Sequence, residues 1–525
     1  MNKKGFTLIE LMGILIVIGI IAVIAVPTIN DTIKKSNNDL YNEQINYIVK
    51  HAERWSVSNT DMISEDTTYY LTLDQMIEEG IIEDDDVIDP RDETSKINGC
   101  VVISFKKDYS QYDYSFQESG CLYSDRTGAN EPLLTSNMIP VTYNGTNLVV
   151  ADTEKEWYNY EVGNWANMVL VKDSGTKSRS YYSSKDAIGK AVNEDDILGY
   201  FVWVPRFKYQ IWNTQSNKIN EVKDRNGNFP SIGIKFEKGL SISGTGVADG
   251  TWLTHPAFCT GTTDVDNGKR STCSGNEVTG IWVAKFETSG NTSAPKVKPG
   301  VSPLTNNSLS AFATTASQFS SNETYGLTNK NDAHVMTNSE WGAVTYLSHS
   351  IYGNYNKTNK ANSAVTSNGS NYTGGGLGAN YYKSAQAQST TKNIFGIYDM
   401  AGGKYEYVVG NLNTSDNNNH LVGYTTSSTS GFGGYVANGS FASGTSYPRH
   451  YDSYSYGTST TNHLRGHLGD ATREITKEGS STGWYSNNTS MPVNTAPWFR
   501  RNNLFSYVGA TGTAMSDTAF RVVLY

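Results

Sequence analysis

FTLIELMGILIVIGIIAVIAV, residues Phe6–Val26, is the stretch on which the reading of the whole chain turns. It is an apolar run of 21 residues with one charge, Glu10, behind the basic leader MNKKG. At about 1.5 Å per residue, a helix of that length matches a hydrocarbon core of roughly 30 Å, so a single-pass transmembrane helix is expected. A carboxylate within such a run is costly and persists only with a partner, so something must neutralise Glu10. A secretory signal peptide is disfavoured: the run is too long, no A-x-A-like site follows it, and an acid sits near its start. Pro27, which has no N–H and clashes with the preceding turn, is expected to kink or interrupt the helix.

Beyond this run the helical pattern resumes. Ile29, Ile33, Leu40, Ile45, Ile48, Ala52 and Trp55 recur at spacings that form one amphipathic face, and such a stripe needs a sheet to cover. Strands are expected around Tyr69–Leu73, Cys100–Phe105 and Tyr112–Phe116, with a short helix between the first two closed by Gly80. The four cysteines allow three connectivities; the simplest is two local pairs, Cys100–Cys121 and Cys259–Cys273, in an exported chain that meets oxidising surroundings. A zinc site is disfavoured because C-x-x-C spacing and nearby His pairs are absent.

The remainder is too long for one core: 525 residues suggest roughly three folding units. Charged residues make up only 18%, with 34 Tyr and 49 Gly, and 42 Lys+Arg against 51 Asp+Glu give a net charge of −9. This balance disfavours nucleic acid as a partner and points to an uncharged one. The text from Asp125 to Gly199 is rich in β-formers and turn pairs such as Asn144-Gly145, and reads as a small β unit. Trp157, Tyr158 and Trp165 within it would stack on a sugar or fill a thin core, and the core is the better reading.

Lys3-Lys4-Gly5-Phe6 together with Glu10 resembles the processing signal of type IV prepilins and pseudopilins. The resemblance implies cleavage between Gly5 and Phe6 by a prepilin peptidase, methylation of the new amine on Phe6, and pairing of that amine with Glu10 of a neighbouring subunit. It also makes the helix and small sheet that follow a pilin head, and Gly19 and Pro27 helix-weakening positions. Other pilin subunits, the peptidase/methyltransferase and the cell membrane are then the expected partners. The expected location is the cytoplasmic membrane before assembly and an extracellular pilus or the cell surface afterwards.

A second resemblance rests on an ordered set of segments: Phe201–Trp212, Gly280–Gly290, Met336–Leu347, Asn393–Val408 and Ala519–Tyr525. Together they resemble the formylglycine-generating-enzyme/sulfatase-modifying-factor family, a variant of the C-type-lectin-like fold. The positions carried over are Glu340 and Trp341, Gly396, Tyr398, Asp399 and Gly402, Glu406, and Phe520 and Arg521. The chemistry does not carry over, because no cysteine follows Cys273. The family's G-N-x-W-E-W turn is here Gly402-Gly403-Lys404-Tyr405-Glu406-Tyr407, and no calcium-ligating E-P-N, Q-P-D or W-N-D is found, so no cofactor is expected.

Other signals are weaker. His463 and His467 stand four apart near Asp470 and Glu474, but Gly466 between them weakens a helix, and fold-holding hydrogen bonds are the better reading. Asp224–Asn228 and Asp264–Gly268 echo calcium loops without the spacing and read as Asx turns. The segment Gly483–Asp517 mixes Trp484, Tyr485, Trp498, Arg500, Arg501, Phe505 and Tyr507 with Asn and Ser, the chemistry of recognition loops, and is the candidate ligand-binding face. Similar C-terminal lectin-like domains serve as variable proteins of diversity-generating retroelements.

The expectation is an α+β multidomain chain: leader 1–5, filament-core helix 6–27, pilin head 28–125, β-rich connector 126–199 and a lectin-like domain 200–525. Its expected role is that of a large minor or tip pilin, non-catalytic, displaying a module that binds a glycan or protein. The rivals are a pseudopilin engaging exported cargo and an enzyme on the C-terminal fold.

Overall fold

A computed structural model of the chain describes residues 7–60, 63, 68–92, 94–106, 111–210, 232–238, 240, 252–260, 273, 275–327, 332–354, 371–412, 424–425, 432–433, 451–476 and 489–525. Its architecture is mixed, with helices and several mainly antiparallel sheets, and it divides into two compact units, Met1–Tyr123 and Ser124–Tyr525.

The first unit is built on helix α1, Leu8–Ser58, followed by β1 (Thr68–Thr72), α2 (Leu73–Glu78), β2 (Cys100–Lys106) and β3 (Gln111–Gln117). The three strands form an antiparallel sheet in the order β1-β2-β3, as their alternating pattern predicts. Only the end of the α1 stripe covers it. Ile48, Ala52 and Trp55 are buried with Tyr69, Leu71, Met76, Val101 and Ile103, whereas Ile29, Ile33 and Leu40 are exposed. α1 runs as one helix through Pro27, so of the kink or interruption expected there the interruption is absent. Thr72 caps α2 in a capping box with Gln75, and Gly80 closes it at φ +67°. The Cys100–Cys121 disulfide ties the start of β2 to the end of the unit.

In the second unit, the first half contains β4 (Ile139–Tyr143), β5 (Leu148–Val150), β6 (Asn167–Val171), α3 (Arg179–Tyr182), β7 (Ile197–Pro205), β8 (Phe207–Gln210), β9 (Gly233–Phe236), β10 (Leu253–Thr254) and β11 (Gly280–Ala284). Then come β12 (Ser289–Asn291), β13 (Ala294–Lys296), α4 (Leu309–Ser321), β14 (Ala333–Val335), α5 (Asn338–Ser348), β15 (Tyr405–Leu412), β16 (Tyr424–Thr425), β17 (Phe432–Gly433) and β18 (Asp452–Tyr454). β19 (Trp498–Asn503), β20 (Ser506–Ala510), β21 (Thr518–Phe520) and β22 (Val522–Leu524) complete it.

Its centre is a seven-stranded antiparallel sheet ordered β14-β22-β11-β7-β6-β4-β5. β6, β7 and β11 are buried along their whole length, which explains their near-continuous apolar sequences. The strip 126–199 is therefore no separate connector. Its strands β4, β5 and β6 extend the central sheet, and Gly199 lies inside β7. Local β-propensity marked these strands but could not reveal that β6 pairs with β7, as in Asn167 opposite Val202. Trp157, Tyr158 and Trp165 are buried, so the core reading of these aromatics holds and the sugar-stacking one does not. A second sheet, β18-β15-β19-β20 with β21 also paired to β15, mixes parallel and antiparallel pairs. The Cys259–Cys273 disulfide is present in this unit.

Candidate functional site

Two places were marked by the sequence. The first is the start of α1. Thr7 is the N-cap, and its side chain accepts the Glu10 N–H at 3.3 Å while the Glu10 carboxylate accepts the Thr7 N–H at 2.9 Å and hydroxyl at 2.8 Å. This reciprocal box satisfies helix-end donors, and Glu10 sits where the helix dipole favours an anion. One turn on, Gly13 leaves open space where a side chain would stand. Glu10, Gly13, Ile14, Val17 and Ile18 thereby line a shallow, almost wholly apolar groove. The apolar side chains around it are exposed, Leu8 by 76% and Ile9 by 81%. Among the described residues, nothing covers this apolar segment. Among the described residues no helix is long and apolar enough to cross a membrane; the described side chains of the apolar run end at Ile21. Gly5 and Phe6, the expected processing positions, lie outside the described residues.

The second place is the set of motif residues in the second unit, which the fold brings together in its interior. Arg521, between β21 and β22, grips Glu406 of β15 with two bonds of 2.7 and 3.1 Å and donates to the Ala284 and Tyr398 carbonyls. Asp399 holds a left-handed φ of +63° and accepts the Gly374 N–H at 2.9 Å. Glu287, which sequence reasoning missed, accepts the Lys404 N–H at 2.7 Å; burial, reinforced by the neighbouring Asp399 and Glu406 charges, pushes its carboxyl far up. Gly402, at φ +76°, donates to the Asn502 carbonyl and carries the chain into β15. Glu340 closes a capping box with Thr337 and touches His334 at 3.0 Å and the Tyr525 hydroxyl at 2.6 Å. Burial works to raise its carboxyl, but the His334 ring and these hydrogen bonds bring it below its ordinary value. Trp341 donates to the Leu504 carbonyl at 3.0 Å, and Phe520 stacks on Phe312 at 4.5 Å.

The aromatic tail is a correction. Trp498, Arg501, Phe505 and Tyr507 are buried, so these four do not form an exposed ligand-binding face. Arg501 donates to Asn338 and to the Asp470 and Ala471 carbonyls, and its guanidinium lies 5.0 Å from the Tyr507 ring centroid. Arg500 is the partly exposed exception, lying 4.2 Å over the Tyr405 ring beside Asp517. The physical reason is that the large rings and guanidinium groups fill the space between short strands and the loops that join them. Trp484, Tyr485, Asp224–Asn228 and Asp264–Gly268 lie outside the described residues.

His463 and His467 are also buried. The former meets the Tyr507 hydroxyl at 2.6 Å, the latter stacks on Tyr454 at 4.2 Å, and they share no helix. Glu474 accepts from the Tyr209 and Tyr346 hydroxyls and the Gly469 N–H, and burial lifts its carboxyl to about 7. Among the described residues no group of three or more His, Cys, Asp or Glu is placed to hold a metal ion. The signal that would have found the buried ions is a charge inside an apolar strand, as in Val202–Phe207 around Arg206 or Trp282–Phe286 around Lys285.

The model of the prokaryotic N-terminal methylation motif matches residues 1–26. These residues are a type IV prepilin-like signal, of the kind carried by pilins and pseudopilins. No curated protein matches the chain.

Proposed function

We propose that this chain is a large type IV pilin, inserted by its N-terminal helix into the membrane and then into a filament, which presents its second unit as a binding module at the cell surface. The observation that carries the reading is the start of α1, a matched methylation motif whose described apolar side chains are exposed and whose lone acid is bonded to its own cap. Burial against lipid and then against other subunits recovers the free energy that exposure withholds. The second unit is taken as a lectin-like, non-catalytic module without a cofactor. Supporting this is its ordered set of motif residues, whose charged members are consumed in holding the fold. The negative charge of the chain favours a glycan or protein ligand over nucleic acid.

The test is made on producing cells. The mature chain is expected to begin at methylated Phe6 and to appear in the filament fraction sheared from the surface. Glu10→Gln is expected to be processed normally, to melt like the wild type, and to be missing from that fraction. Retention of the wild-type chain in the envelope would select the pseudopilin reading. Cells lacking the chain are expected to lose binding to a glycan and host-surface panel; unchanged binding would leave the pilin and remove the adhesin.

A further inference from the structure

Lys285 directly follows β11 and is completely buried, as are its neighbours Trp282 to Phe286. Its amine donates to Asn167 Oδ1 at 2.6 Å and to the Ile394 carbonyl at 2.5 Å. No carboxylate pairs with it among the described residues, and burial alone pushes the amine well below its ordinary value. That shift favours the uncharged amine, which is the nucleophilic form of lysine.

Its partner is equally fixed. Asn167 opens β6, is 1% exposed, and donates both amide hydrogens, to the Trp165 and Phe395 carbonyls at 2.8 Å each. Those bonds orient the amide with its carbonyl toward the lysine. The amide carbon lies one C=O bond, about 1.2 Å, beyond Oδ1, so amine and carbon are held side by side. The rings of Tyr143, Tyr382 and Tyr398, with centroids 5.4, 6.0 and 6.0 Å from Nζ, enclose the pair. Holding two reactants in a buried, fixed contact converts a slow bimolecular reaction into an intramolecular one, with effective concentrations reaching about 10⁵ M or more.

We propose that Lys285 and Asn167 become joined by an intramolecular isopeptide bond. The Nζ lone pair adds to Cγ of Asn167 and the Cγ–Nδ2 bond breaks. One Nζ hydrogen passes to the departing nitrogen, which leaves as ammonia, and a secondary amide remains. Nothing is oxidised or reduced, and no co-reactant is consumed. The register shows what the bond ties. Asn167 stands opposite Val202 of β7, Val202 opposite Val283 of β11, and Lys285 is two residues beyond Val283 on the same side of the sheet. The cross-link therefore staples β6 to β11 across β7 and closes a loop between residues 118 apart. It does not depend on what the unit binds.

The full chain, purified from producing cells and reduced, is digested and its peptides weighed. Expected is a branched pair joining the peptide of Asn167 to that of Lys285, lighter than their sum by one ammonia. The whole wild-type chain should be lighter than its processed sequence by the same amount, and Lys285→Arg should restore the full mass. A succinimide at an asparagine such as Asn144 also loses ammonia, but survives in Lys285→Arg and yields no branched peptide. Linear peptides of ordinary mass for both residues overturn the proposal. If Lys285→Arg fails to fold, the wild-type peptides still decide it.

Discussion

Glu10 and Glu406 are the same functional group in opposite settings. Glu10 lies on an exposed apolar stretch of helix and, among the described residues, is held by its own cap, whereas Glu406 is buried and gripped by Arg521. At the start of α1 the apolar side chains are exposed; in the second unit Glu406 and Arg521 are both buried and matched to each other. Polarity alone therefore does not reveal where burial will occur. What distinguishes the two is that Glu406 faces a buried guanidinium, whereas Glu10 is bonded to the Thr7 amide and hydroxyl. Burying an unpaired ion is prohibitive, so a carboxylate is matched, as Glu406 is, takes up a proton, as burial favours for Glu474, or stays exposed, as Glu10 does.

The sharpest way to break this contrast is to remove the internal match. Arg521→Met is expected to cost the second unit about 3–5 kcal/mol by leaving Glu406 buried without its partner. The double change with Glu406→Gln should recover part of that loss, read by denaturant melting of each variant. A loss under about 1 kcal/mol for Arg521→Met would mean that the pair is no anchor. Trp498→Ala, at a fully buried position, is expected to cost about 3–5 kcal/mol by opening a cavity, again by denaturant melting. A variant that melts like the wild type but loses a ligand would return Trp498 to the surface.

A smaller and pH-dependent effect is expected at Glu474, whose folded carboxyl titrates near 7 against about 4.5 unfolded. Below the unfolded value both states hold the proton, and above 7 neither does; between them the folded state holds more, so stability falls as pH rises. Relative to Glu474→Gln, the wild type is expected to lose on the order of 3 kcal/mol between pH 4.5 and 7, then stay level. A constant difference across that range would show that Glu474 is ionised throughout.

Legibility in the sequence followed the range of the interactions. The apolar run, both disulfides, the three strands of the first unit and the turn at Gly80 rest on contacts close in sequence or on strict patterns, and all were readable. The central sheet was not, because β22 finds β11 and β14 from far away, and nothing local in Val522–Leu524 names them. The aromatic tail misled for a chemical reason. Trp, Tyr, Arg and Asn make a good recognition loop because they combine area with hydrogen bonds, and they make a good loop-rich core for the same reason. Only burial separates the two.

The place of β22 has a consequence for the order of events in the cell. This strand lies inside the central sheet, between β14 and β11, yet it is synthesised after every other strand described. Arg521, beside it, closes the Glu406 pair at the same late moment. While the ribosome is still adding the preceding residues, none of the earlier described strands stands between β14 and β11. The central sheet therefore cannot join β14 to β11 until Val522–Leu524 has been made.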